Sequence, residues 1–118
     1  MSDEPSRAWR FYVEDMVEFC GRVLEYTEGL SLEGFIANKI VYDATLRNLE
    51  LIGEAATHVP GEIRQKYSNI PWRMIVATRN QLIHAYLGID DDTLWSIIQD
   101  DVPELAKSLR ELISKEKI

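Results

Sequence analysis

Residues 79–86 lie in a long apolar helical pattern and include Arg79, Asn80, His84 and Tyr86. A guanidinium can donate paired hydrogen bonds to phosphate oxygens, and an imidazole can move a proton near neutral pH. Cleavage of a phosphodiester needs both functions, because charge develops on the phosphate while protons are exchanged. We therefore take Arg79 and His84 as candidate catalytic residues, with Asn80 assisting them. A lone His or Arg on a helix is, however, most often a packing or ion-pair residue.

Helical geometry separates the two candidate catalytic residues. Positions five apart differ by about 140° around a helix, and positions seven apart nearly coincide. If the helix continues to Tyr86, Arg79 and Tyr86 share one face while Asn80 and His84 share another. Asn80 can then hydrogen-bond the imidazole. One phosphate can still meet both Arg79 and His84 if the arginine reaches around the helix, or if a two-fold dimer brings two helices together.

A polar strip on an earlier helix can support this segment. Arg47, Glu50 and Glu54 recur at helical spacing on one side of an otherwise apolar stretch. A solvated strip of ion pairs is the simpler interpretation. In the alternative, the strip faces the motif helix, and Glu50 or Glu54 orients Arg79 or His84. Gly53 lies beside Glu54 and costs helix stability by roughly 1 kcal/mol, which suggests a close helix contact there.

Composition limits the class of protein. The 118 residues carry a net charge of −7, which argues against a broad nucleic-acid-binding surface and favours a local basic pocket or a basic protein partner. The single cysteine, Cys20, lies in an apolar band, so we interpret it as a buried hydrophobe in a protein of the reducing cytoplasm. We expect one domain over residues 1–118, no metal site and no membrane span.

Hydrophobic periodicity predicts an all-α fold, an antiparallel bundle of four to five helices. The predicted helices cover residues 7–28, 38–58, 62–67, 72–85 and 90 to the C-terminal end. The last is expected to kink or break near Pro103, with Asp100 and Asp101 capping its continuation. The apolar stripe from Trp9 to Tyr26 and the wide apolar face of the second helix exceed the needs of a small bundle, so we expect a homodimer.

The pattern Arg-x4-His-x-Tyr, formed by Arg79, His84 and Tyr86, resembles the motif of the HEPN superfamily, specifically its HepT-like toxins. The phrase at residues 47–55 is similar to the second-helix signature of that family. The resemblance implies the toxin of a type VII toxin–antitoxin pair, acting as an endoribonuclease that needs neither metal nor cofactor. It implies a cleft built from two motif helices, with His84 as general acid and base and Arg79 stabilising the transition state.

The same resemblance implies a protein partner. An MntA-type nucleotidyltransferase antitoxin would transfer AMP to the hydroxyl of Tyr86 and so block the site. A different class of function also fits the acidic sequence. In that alternative the chain is a non-catalytic helical subunit that binds substrate for a nucleotidyltransferase, or that only scaffolds it.

Overall fold

A computed structural model describes residues 4–84 and 89–116, with side chains from Ala8 onward. Every regular element in these two ranges is helical, which confirms the predicted all-α fold class. The helices are α1 (Glu4–Thr27), α2 (Leu32–Ala37), α3 (Lys39–Ala56), α4 (Gly61–Lys66), α5 (Trp72–His84), α6 (Asp91–Ser96) and α7 (Val102–Lys115).

Local signals account for several helix ends. Gly29 follows α1 with φ of 77°, a left-handed conformation that glycine adopts at little cost. The side chain of Asn38 accepts a hydrogen bond of 3.1 Å from the Val41 amide at the start of α3. Asp90 caps α6 in the same way, accepting from the Thr93 amide at 2.7 Å. This capping holds the pKa of Asp90 below its ordinary value.

The core lies between α1, α3 and α7. On α1 the fully buried stripe is offset from the predicted one, because Tyr12, Phe19 and Tyr26 are only half-buried. Cys20 is buried, and removal from water raises the pKa of its thiol to about 12, which confirms its interpretation as a small hydrophobe. The buried side chains of α1 are Trp9, Val13, Met16, Cys20, Val23 and Thr27.

The last helical region is irregular where Pro103 predicted it to be. A π-helical turn, Ile97–Asp101, joins α6 to α7, and the Val102 amide donates to the Ile97 carbonyl across this wider turn. Pro103 then falls in the first turn of α7, where its missing N–H breaks no helical bond. The predicted capping is wrong, because Asp101 makes no side-chain cap hydrogen bond and Asp100 instead accepts from Ser96.

Helix α3 lies between α1 on one side and α5 on the other. The hydroxyl of Tyr42, near the start of α3, donates at 2.9 Å to Asp91, the first residue of α6, which follows α5 in the chain. Gly53, near the end of α3, lies against Ile75 in the first half of α5, so α3 and α5 run antiparallel. Helix α5 packs chiefly on α3, and only Trp72 and Leu82 of its described side chains are buried. No helix in the described ranges is long and apolar enough to cross a bilayer.

Candidate active site

Gly53 sets the distance between α3 and α5 at Arg79. A Cβ added at Gly53 would lie 2.2 Å from the Cβ of Arg79 and 3.2 Å from the carbonyl oxygen of Ile75. No side chain fits at these distances without moving one helix. The glycine that interrupts the apolar pattern of α3 therefore lets the stem of Arg79 lie directly against the α3 backbone.

Glu54, the next residue of α3, holds the head of Arg79. Arg79 donates from Nη2 to Oε1 of Glu54 at 2.5 Å, and from Nη1 to Oδ1 of Asn80 at 2.9 Å. The side chain of Arg79 is 25% exposed and that of Glu54 is 49% exposed. Of the two interpretations of the polar strip, the one in which it faces the motif helix therefore applies to Glu54.

The guanidinium of Arg79 keeps donors available. Arginine has five N–H groups, and the contacts with Glu54 and Asn80 use one on each terminal nitrogen. The Nε–H is buried and has no hydrogen-bond partner in the described part of the chain. Each terminal nitrogen retains one further N–H, so Arg79 can bind an anion without leaving Glu54.

Arg47 and Glu50 remain outside this arrangement. They form an ion pair with each other, with Nη1 of Arg47 3.2 Å from Oε1 of Glu50. Arg47 is two-thirds exposed, so the pair is the solvated kind that contributes little to stability. For these two residues the simpler interpretation of the strip fits the structure better.

His84 is the last residue of α5 and is exposed. The predicted hydrogen bond between Asn80 and its imidazole is not among the contacts of the described residues, in which the Asn80 carbonyl oxygen accepts from Arg79. Tyr86, the predicted AMP acceptor, lies outside the described residues.

The outward face of α5 carries a regular strip of exposed residues. Arg73, Ala77, Asn80 and His84 follow one another at spacings of four, three and four, which keeps them on one side of the helix. Arg79 points instead toward α3. As helical geometry predicted, the arginine and the histidine lie on different faces, and Asn80, on the face of the histidine, accepts a hydrogen bond from the arginine.

Neither Arg79 nor His84 lines a cavity described for this chain. The cavities described among residues 4–84 and 89–116 are lined by other side chains, between α1 and α7, beside α5, and at the junction of α2 and α3. Of the two arrangements by which one phosphate could meet both residues, a second copy of α5 is the one that would also create a cleft.

His58 is a neighbour of the site, although it was not among the candidate site residues. Its Nε2 lies 3.6 Å from Oε2 of Glu54, whose other oxygen contacts Arg79. The ring of His58 stacks on Tyr12 of α1, with centroids 4.4 Å apart and an interplanar angle of 13°. The sequence signal was its position four residues after Glu54, which places both side chains on one helix face.

The comparisons with known proteins identify the family to which this site belongs. The model of the family described as "Ribonuclease HepT-like" matches residues 16–112. The chain belongs to the HepT-like ribonuclease family. The predicted resemblance is thereby confirmed, and the matched range includes α3 and α5 with Gly53, Glu54, Arg79 and His84.

Relatives of this HepT-like chain extend over most of its length. It is 35% identical over 106 residues to "Probable ribonuclease HepT" of Thermococcus cleftensis, covering 90% of this chain and 96% of the relative. It is 38% identical over 108 residues to "Putative RNase TTE0752" of Caldanaerobacter subterraneus subsp. tengcongensis, covering 92% and 96%. "Putative RNase MJ1380" of Methanocaldococcus jannaschii is 40% identical over 98 residues, covering 83% and 90%. No solved structure gives a significant match.

Proposed function

We propose that this HepT-like chain is a cytoplasmic endoribonuclease toxin that cleaves RNA without a metal ion. The observation that carries the proposal is the arrangement on α5. There, Arg79 is held by Glu54 with two N–H donors still available, and an exposed His84 ends the same helix. The ribonuclease family and the ribonuclease names of the relatives support the same chemistry.

In the proposed reaction His84 removes the proton from a ribose 2′-hydroxyl. The freed oxygen attacks the adjacent phosphorus, and the bond from phosphorus to the 5′-oxygen of the next nucleotide breaks. The departing oxygen takes up the proton that His84 removed, which leaves a 2′,3′-cyclic phosphate and a 5′-hydroxyl. Arg79 donates to the phosphate oxygens, on which negative charge increases in the transition state. Asn80 keeps the guanidinium oriented through its 2.9 Å contact.

The proposed active form is a homodimer through the outward strip of α5. Ala77 in the middle of this strip permits close approach of a second helix, while Asn80 and His84 near its end would line the cleft. Arg73 on the same strip is exposed and would make the cleft positive, although Glu54 offsets the charge of Arg79. Light scattering should give the mass of two chains at micromolar concentration, and a monomer would contradict this proposal.

The decisive test of function is cleavage by the purified chain in the presence of EDTA. Unmodified RNA should yield fragments that end in a 2′,3′-cyclic phosphate. The same RNA with 2′-O-methyl groups should remain intact, because it lacks the attacking hydroxyl. Absence of cleavage across a set of structured and single-stranded RNAs would favour the alternative, a non-catalytic subunit of a nucleotidyltransferase, which the net charge of −7 supports.

Regulation by an MntA-type nucleotidyltransferase antitoxin is the second part of the proposal. Transfer of AMP to Tyr86 would add negative charge close in sequence to His84, where RNA phosphate must bind. Incubation with the antitoxin, ATP and Mg²⁺ should add one or more AMP units to the intact mass of the wild type. Tyr86→Phe should gain none, and Tyr26→Phe, which alters a tyrosine of α1, should gain as much as the wild type. Equal gain by all three proteins would remove Tyr86 from this role.

A further inference from the structure

Two adjoining cavities lie beside α5, on the helix face next to the one that carries Asn80 and His84. One, of about 380 Å³, lies between α3, α5 and the π-helical turn with α7, and the other, of about 480 Å³, continues toward Gln81 and Ile89. They share Met74, Thr78, Ile97 and Asp101 as lining residues, so they form one continuous groove, here called the α5–α7 groove.

The floor of the α5–α7 groove is apolar. Met74, at the edge of the groove, is 59% exposed. The flexible side chain of a methionine adapts readily to an apolar partner. Thr78 of α5 and Ser108 of α7 also line the first cavity, and both have small side chains. The aliphatic side chains that line this cavity are Leu49, Ile52, Ile75, Ile97, Val102 and Leu105.

The rim of the groove carries charge of one sign. Asp92, Asp101 and Glu104 line it and are exposed, and none of them forms an ion pair with another described side chain. No Lys, Arg or His lines either cavity. Such a rim repels RNA phosphates and attracts cations. A second copy of this chain, with 20 acidic against 13 basic residues, is a poor electrostatic match for it.

We propose that the α5–α7 groove is the docking site for an amphipathic, basic helix of a partner protein. Apolar side chains on one face of that helix enter the groove, and flanking Lys or Arg residues pair with Asp92, Asp101 and Glu104. The groove reaches Gln81 and Ile89, which flank the segment that contains His84 and Tyr86. A docked partner therefore lies beside the proposed active site whether or not the chain cleaves RNA.

The test uses two fluorescent synthetic peptides with the same leucine face, one with lysines and one with glutamates on the polar face. Fluorescence anisotropy should show binding of the lysine peptide alone. Ser108→Trp, and separately Thr78→Phe, fill the groove without changing charge and should weaken binding by about ten-fold or more, which is about 1.4 kcal/mol. Ser114→Trp, on an exposed position of α7 outside the groove, should bind like the wild type.

A charge-matched pair separates docking from general attraction to an acidic protein. Asp101→Asn with Glu104→Gln should weaken binding, whereas Asp15→Asn with Glu111→Gln, which removes the same charge outside the groove, should not. Equal weakening by both pairs would overturn the proposal, as would binding of the lysine peptide unaffected by Ser108→Trp and Thr78→Phe. Loss of RNA binding or of the dimer in those two variants, with circular dichroism unchanged, would assign the groove to RNA or to a second copy instead.

Discussion

Arg79 and His84 lie on the same helix, but they differ in burial and in the contacts that hold them. Arg79 is three-quarters buried against α3, where Gly53 admits its stem and Glu54 and Asn80 bind its head. His84 is exposed at the end of α5 and makes no hydrogen bond or ion pair with a described side chain. The fold therefore positions Arg79, the proposed anion-binding group, in advance, while no described contact positions His84, the proposed proton-transfer group.

This difference has a mechanistic consequence. A preorganised hydrogen-bond donor stabilises a transition state without reorganisation during the reaction. The side chain of Arg79, which packs against α3 and binds Glu54, is preorganised in this way. A group that transfers protons must instead approach both the attacking and the leaving oxygen, which the exposed side chain of His84 is able to do. Substitutions near Arg79 should thus alter stability and rate together, whereas substitutions at His84 should alter rate alone.

The largest effect is expected at His84. His84→Ala removes the proposed acid and base, and cleavage should fall by ~10²–10⁴-fold. The free energy of unfolding should change by no more than about 0.5 kcal/mol, because the side chain is exposed. Single-turnover cleavage and urea denaturation measure the two quantities, with Gln81→Ala, an exposed neighbour on α5, as the control. A large loss of stability in His84→Ala would mean that the residue has a structural role.

The second effect, at Gly53, should appear in both measurements. Gly53→Ala forces its Cβ against Arg79 and Ile75, which should destabilise the fold by about 1–3 kcal/mol. A displaced Arg79 should also lower the cleavage rate of the remaining folded protein, by about ten- to a hundred-fold. Gly21→Ala is the matched control in α1, where nothing lies within 4 Å of the added Cβ. It should stabilise the protein by up to about 1 kcal/mol and leave the rate unchanged.

The sequence predicted those features of Arg79 and His84 that depend on residues close together in the chain. Helical periodicity placed α1, α3 and α5 closely, and a five-residue spacing correctly separated Arg79 from His84. The contact between Arg79 and Glu54 joins residues 25 positions apart in the sequence. Helical periodicity describes only residues within one helix, so it left this contact as one of two alternatives. Asn80 was expected to bind His84, because a spacing of four suggested it. In the structure the carbonyl oxygen of this amide accepts from Arg79.

The third effect concerns the ion pair at Arg79. Glu54→Gln keeps a hydrogen-bond acceptor but removes the charge, and it should lower kcat by about two- to five-fold, the effect of losing a partly exposed ion pair. KM for RNA should not rise, because Arg79 is then less neutralised and attracts phosphate more strongly. Glu50→Gln, which breaks the separate pair with Arg47, is the control and should alter neither constant. A rise in KM without a change in kcat would contradict the orienting role of Glu54.

The smallest effect is expected at His58. This substitution tests whether the side chains that hold Arg79 in place include residues beyond Glu54. His58 contacts the Glu54 oxygen that Arg79 does not use, but at 3.6 Å the contact is longer than a hydrogen bond. His58→Ala should therefore change kcat by less than about two-fold, since the remaining attraction is that of an exposed pair. Loss of the stack on Tyr12 should cost about 0.5–1.5 kcal/mol of stability. A different result would be that His58→Ala reduced kcat as much as Glu54→Gln, with the double variant no worse than either. The orientation of Arg79 would then depend on His58 and on its stack with Tyr12 of α1, as well as on Glu54.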